Sequence, residues 1–282
     1  MPHNLWIGRP GSLLEIVQAA KSFDRTADLG VTQFTSLGGR ATVVVTPKPV
    51  RRTKVAWESL DQATASFLDR LARRVDGPGP IAVIDPVAVN LLEPSQAAGT
   101  ARPGSLGANQ WFINVPSGVN PATAGSIVES TSTPGAFGFT SLTTTTSIGW
   151  RHPVWVGIPV MPGMTVSFSP PAGFPASTTQ AEVDFKRADG TYITGFTAIG
   201  GPVTATVPPN AAFVTPVAQT GQIGTFSLAG ACLTINGDVP SPALAGDGCP
   251  GVSIVGYTDV LGAHLPYRNV SLELLEVGSA VG

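Results

Sequence analysis

Hydrophobic and polar positions alternate most cleanly in Ala181-Glu-Val-Asp-Phe-Lys-Arg187. A period of two sends successive side chains to opposite faces of a sheet. Val183 and Phe185 are therefore expected to point inward, and Glu182, Asp184 and Lys186 outward. Asp189-Gly190 suits a tight hairpin turn, with residues 191–194 as the returning strand. The same reading gives short strands over 165–169, 203–207, 212–217, 225–228, 231–235, 252–257 and 270–277. Turn signals separate them at spacings of about ten residues, which is what sandwiches and jelly rolls require. Residues 143–146, a run of threonines, read as an exposed strand or loop. No segment beyond residue 94 shows helical periodicity.

The first third reads differently. Residues 13–17, 31–37 and 41–46 form short β-branched or apolar runs, and Gly38-Gly39 suits a hairpin between the last two. Pro47-Lys48-Pro49 ends the run, because proline donates no ladder hydrogen bond. Residues 59–75 predict a helix: Leu60, Ala63, Phe67, Leu68, Leu71, Ala72 and Val75 fall on one face. Ser59 with Gln62 has capping-box spacing. Arg70, Arg73 and Arg74 complement the dipole at its end, and Gly77, Pro78 and Pro80 stop it. Residues 81–84 follow as a buried strand.

Composition separates the same two regions. Residues 1–94 carry 11 Lys/Arg and 9 Asp/Glu; residues 95–282 carry 5 and 9. The expected division is a mixed domain over 1–93 and an all-β domain over 94–282. Over the whole chain charged residues are 12% of the total, about half the usual fraction, which hints at a surface covered by protein contacts. The net charge of −2 gives no field to attract nucleic acid. The start reads without a secretory signal, and the apolar run 154–164 is too short and too broken by Gly and Pro to span a bilayer.

Candidate chemistry is sparse. His3, His152 and His264 have no metal-ligand spacing, and no cofactor or metal site is expected. There is no G-x-S-x-G elbow and no P-loop. A glycosidase needs two carboxylates across one bond, and the acids here are too few to nominate such a pair. No catalytic residue is assigned. Asp184 and Asp189 could serve calcium or a sugar hydroxyl, but a strand face and a turn explain them better. Trp150, Tyr192, Tyr257 and Tyr267 are the candidate platforms for stacking sugar rings. Trp150, after Gly149, is the better surface candidate, whereas Trp155 reads as core. Arg51, Arg52 and Lys54 form a basic cluster before the helix, read either as a subunit contact or as a solvated loop. Cys232 and Cys249 read as ordinary reduced thiols, with pairing the alternative. Asn269-Val270-Ser271 matches a glycosylation acceptor and, with no secretory signal, reads as accidental.

Several runs support a resemblance. Leu5-Trp6-Ile7-Gly8, Arg51-Arg52-Thr53 and the helix over 60–74 leading into Gly79-Pro-Ile-Ala-Val-Ile84 resemble the tail-tube-like N-terminal domain of siphophage distal tail proteins, with actinobacteriophage minor tail proteins closest in flavour. Asn90-Leu91-Leu92, Val160-Met-Pro-Gly163 with Thr165-Val-Ser-Phe168, Val183-Asp-Phe-Lys-Arg-Ala-Asp-Gly190 and Val203-Thr-Ala-Thr-Val-Pro-Pro-Asn-Ala211 look like a carbohydrate-binding-module jelly roll. The resemblance implies a mainly β protein: a tail-tube-like sandwich or barrel with one packed helix, followed by a jelly-roll sandwich. It implies a ring homo-oligomer, a hexamer, that joins the tail tube to baseplate or tail-tip proteins. It places the protein in the virion tail, assembled in the host cytoplasm. The alternative is a host-attachment protein whose second domain holds cell-wall glycan. A secreted glycan-active enzyme is the third reading, and lacks both a signal peptide and an acidic cluster.

Overall fold

The computed structural model describes residues 4–28, 30–44, 50–101, 109–235, 245–262 and 265–277. Thr46, the Pro47-Lys48-Pro49 stop, His3 and His264 lie outside them. The described chain is mainly β, and its sheets are antiparallel.

Strands β1 (Leu5–Arg9), β2 (Ser12–Ile16), β3 (Ser22–Asp28), β4 (Thr32–Thr35), β5 (Ala41–Val44) and β6 (Val50–Leu60) come first. Helix α1 (Gln62–Ala72) and β7 (Ile81–Ile84) follow. Two short helices that periodicity did not signal, α2 (Pro94–Ala98) and α3 (Pro121–Ala124), flank β8 (Trp111–Asn114). Then come β9 (Gly125–Glu129), β10 (Phe137–Ser141), β11 (Ser147–Trp150), β12 (Ile158–Pro159), β13 (Thr165–Ser169), β14 (Gln180–Lys186) and β15 (Tyr192–Ile199). The chain ends with β16 (Val203–Thr206), β17 (Phe213–Gln219), β18 (Gly224–Ser227), β19 (Cys232–Ile235), β20 (Gly251–Leu261) and β21 (Arg268–Glu276).

These elements form two compact units. One comprises Met1–Leu14 and Ala82–Cys249, the other Glu15–Ile81 and Pro250–Gly282. The two units alternate along the chain, so the boundary near residue 94 expected from composition coincides with none of the changes from one unit to the other. The physical cause is β21. Val270, Leu272 and Leu274 are buried, and β21 runs antiparallel to β6, with Val270 opposite Trp57 and Leu272 opposite Val55. Strands more than 200 residues apart in sequence thus share one sheet, and local composition carries no signal of that.

In the larger unit, β15, β14, β17, β11 and β8 form one sheet in that order, with β12 paired to β17. Two three-stranded sheets, β16-β13-β19 and β18-β10-β9, complete the sandwich. Residues of all three sheets share one core, including Phe185, Trp150, Phe168, Leu233 and Phe139, each fully buried. Asn90, fully buried, ties the approach to this core: its side chain donates to Ala231 O at 3.1 Å and accepts from Leu92 N and Leu233 N, each at 3.1 Å.

In the smaller unit β20, β21, β6 and β3 are adjacent, and α1 packs near β20 and β21. The helix is shorter than its sequence pattern suggested. Asp61 is the N-cap, accepting from Thr64 N at 2.9 Å and from Thr64 Oγ1 at 2.6 Å. Ser59, expected to cap, lies in β6 at φ 60° and donates its N–H to Asn269 Oδ1 at 3.0 Å. The buried face is Ala65, Leu68 and Leu71. Ala63 and Val75 are exposed, and Phe67 is half-buried. Leu60 is buried, but as a strand residue.

Candidate functional site

Strand β14 gives the clearest surface. Its alternation holds: Ala181, Val183 and Phe185 are fully buried, while Glu182, Asp184 and Lys186 lie half-buried on the opposite face. Register sets their neighbours. Glu182 stands between Thr197 and Val217, and Asp184 between Gly195 and Thr215. Lys186 stands between Tyr192 and Phe213. Tyr192 is 57% exposed at the start of β15, the outer strand of its sheet.

The polar atoms of this face converge on a glycine. A Cβ on Gly195 would lie 2.7 Å from Asp184 Oδ1, 3.0 Å from Glu182 Oε1 and 3.1 Å from the Tyr192 hydroxyl. The missing side chain makes a notch, and three oxygens crowd its rim. No cation stands directly opposite either carboxylate in the strand register. Lys186 reaches the other way, donating to Val156 O at 3.4 Å, an oxygen that also accepts from Thr215 Oγ1.

Electrostatics follow from this geometry. Desolvation, then the charge of Asp184 and its hydrogen bond, push the Glu182 carboxyl up to about 7. Desolvation also raises Asp184, against the hydrogen bond from Glu182 and the charge of Lys186. Desolvation lowers Lys186, against the attraction of Asp184. Tyr192 is raised by desolvation and by both carboxylates. The face therefore offers a phenol, hydroxyls and a carboxyl–carboxylate pair, a set suited to hydrogen-bonding a polyhydroxyl ligand.

The four aromatic candidates do not form one platform. Trp150, expected at the surface, is fully buried. It lies on β11, hydrogen-bonded between β17 and β8, and packs edge-on against Phe168 with ring centroids 5.2 Å apart. Neither its indole nitrogen nor that of Trp111 across the strand pair has a hydrogen-bond partner among the described residues. Trp155 is half-buried and stacks on His152 at 4.8 Å. Tyr257 and Tyr267 belong to the smaller unit, not to the sandwich. Tyr257 is half-buried and donates to Asp259 Oδ2 at 3.2 Å, and desolvation pushes its phenol up to about 12. Tyr267 is 45% exposed. Only Tyr192 stands with the polar face. Sequence reading placed Glu182 merely outward; the usable signal was two acids at i and i+2 in a strand paired with one that contains a glycine.

The basic cluster lies on a strand, not in a loop. Arg51, Arg52 and Lys54 belong to β6, beside β21. Lys54 pairs with Glu273, and Arg51 Nε lies 3.8 Å from Glu276 Oε2. Asp189 makes a turn, accepting from Thr191 N at 2.8 Å. Cys232 and Cys249 are buried free thiols, each pushed up to about 12 by burial. Among the described residues no group of three or more His, Cys, Asp or Glu is placed to hold a metal ion, and no helix is long and apolar enough to cross a membrane.

A second surface belongs to the smaller unit. Among the described residues, strands β4 and β5 pair only with each other, and every residue of both is exposed. The expected Gly38-Gly39 turn closes them, with Gly39 at φ 77° and Ser36 N donating to Arg40 O at 2.9 Å. Val31, Phe34, Val43 and Val44 are 50–60% exposed, and Leu37 at the tip is fully exposed.

No protein-family model matches the chain, and neither does any curated protein. Among solved structures, the enzymatically active domain of tailspike protein 4 from bacteriophage CBA120 aligns at TM-score 0.33 and 14% identity, over 52% of this chain and 22% of that one. The CBM22-1–GH10 modules of Clostridium thermocellum xylanase 10B, complexed with xylohexaose, align at TM-score 0.30 and 11% identity, over 54% of this chain and 29% of that one. The chain thus spans less than a third of either structure, and at these scores neither likeness bears on function.

Proposed function

We propose that this chain is a structural, non-catalytic subunit of a phage tail tip, which assembles into a ring through its smaller unit. The observation that carries the reading is the β4–β5 hairpin. A two-stranded ribbon is marginal in water by itself. This one also exposes Phe34 and Val44 on one face, Val43 on the other and Leu37 at the tip, apolar side chains of the kind that a neighbouring protein covers. The basic cluster is a weaker interface candidate, because Arg51 and Lys54 already pair within the sheet. The resemblance of 5–8, 51–53 and 60–84 to distal tail proteins supplies the kind of ring, one that joins tail tube to baseplate.

The test is the native mass of the purified chain with negative-stain images of the same sample. Closed rings with a central hole support the proposal, and Leu37→Asp with Phe34→Asp should reduce them to monomers that keep their circular-dichroism spectrum. Rings unchanged in the double variant would remove the hairpin from the interface.

A second reading concerns the sandwich. Tyr192 beside the Glu182–Asp184 pair favours weak glycan binding by this face, with the ring as its scaffold. Tyr192→Ala should then abolish binding to cell-wall polysaccharide, whereas binding retained in that variant would assign the ligand elsewhere.

A further inference from the structure

The carboxyl pair over Gly195 has a consequence that does not depend on either functional reading. Two acids at i and i+2 of one strand project from the same face, and here both reach toward one notch. Like charges that close in a half-desolvated site cannot both ionise cheaply. We propose that Glu182 and Asp184 share a single proton above the Gly195 notch, and that losing this proton loosens the outer strand β15.

The surroundings define the balance. On β14 the one cation on this face is Lys186, whose ammonium donates to Val156 O and whose charge favours ionised Asp184. On β15 the titratable neighbour is Tyr192, a phenol whose ionisation both carboxylates oppose. On β17 the register partners Thr215 and Val217 do not titrate. The pair thus has one partial counter-charge for two carboxylates. With one proton, a carboxyl O–H donates to the neighbouring carboxylate. Without it, two anions face each other beside a strand that β14 holds from one side. The relief is to turn a carboxylate outward past Tyr192 and Gly195, and both belong to β15.

The sign follows from Glu182, whose carboxyl is raised to about 7 from an ordinary 4.5. An acid raised on folding binds its proton more tightly in the folded state. Stability is therefore greatest below the unfolded value and falls as pH rises through the folded one. The window runs from 4.5 to about 7.

The test is thermal unfolding of the full chain from about pH 5 to about pH 8.5, with hydrogen exchange of the β15 amides at both ends of the range, corrected for intrinsic rates. The wild-type Tm should fall as pH rises, and protection of 192–199 should fall with it. Glu182→Gln, nearly isosteric, should flatten the profile and melt above wild type at the upper pH. Asp184→Asn should do the same and guards against a local defect in the first variant. Lys186→Gln should steepen the decline, because it removes the counter-charge. Wild-type and Glu182→Gln profiles of equal slope, or β15 protection equal at the two pH values, would overturn the proposal.

Discussion

Two strands of this protein carry charged residues at alternate positions and treat them in opposite ways. On β6 in the smaller unit, Lys54 stands opposite Glu273 in the β21 register and pairs with it. On β14 in the larger unit, Glu182 and Asp184 stand side by side with threonine, glycine and valine opposite them. Glu273 is held below its ordinary range by the hydrogen bond and charge of Lys54, while Glu182 is raised. Residue type does not decide the sign of such a shift; the cross-strand partner and the depth of the site do. The two acids therefore predict opposite pH behaviour. Glu273 contributes stability present above its unfolded value of 4.5 and lost as pH falls through its lower folded value. Glu182 contributes stability that is lost as pH rises.

The largest effect lies on the inner side of β14. Phe185 is fully buried and meets Phe196 edge-on with centroids 6.0 Å apart. Phe185→Ala should cost about 3–5 kcal/mol in chemical denaturation. A loss under about 1 kcal/mol would mean the sandwich collapses around the cavity, and the inner and outer faces of β14 would then differ far less than their burial implies.

A middle effect separates the helix from the strand. Phe67 was expected on the buried face of α1 but is half-buried, while Ala65, Leu68 and Leu71 are covered. Phe67→Ala should therefore cost less than Phe185→Ala, about 1–3 kcal/mol. A loss near that of Phe185→Ala would show that Phe67 is covered in solution by something beyond this chain, and a ring of subunits is the occupant that would do so.

What was legible in the sequence follows the range of the interactions. The alternation of 181–187, the Asp189-Gly190 turn and the buried strand at 81–84 are local patterns, and each is found in place. β3 and β6 were not read as strands, because Ser22–Asp28 and the basic start of β6 look like solvated loop until β21 arrives to pair. β8 to β12 escaped for a related reason. All are short: β9, β10 and β11 mix Gly, Ser and Thr with their apolar residues, and β8 and β12, though apolar, span only four and two residues. Trp150 follows Gly149 as a residue at a loop edge would. In the fold, Gly149 instead admits the ring of Phe112 from the neighbouring strand, since a Cβ there would collide with it. Of the polar face, the residue types were visible, but the notch was not, because it is made by a side chain that Gly195 lacks.

The smallest effect is the sharpest test of the comparison. Lys54 and Glu273 are 63% and 44% exposed, so their pairing is screened by water and salt. A double-mutant cycle of Lys54→Ala and Glu273→Ala should return a small coupling that shrinks as salt is raised. The Glu182–Asp184 pair differs in kind. Both of its carboxyls are partly desolvated, so added salt should shift the pH dependence of the larger unit much less than it weakens the Lys54–Glu273 coupling. Equal salt sensitivity in both would mean that the carboxyl pair is as well solvated as the surface bridge, and the contrast between the two strands would then rest on charge sign alone.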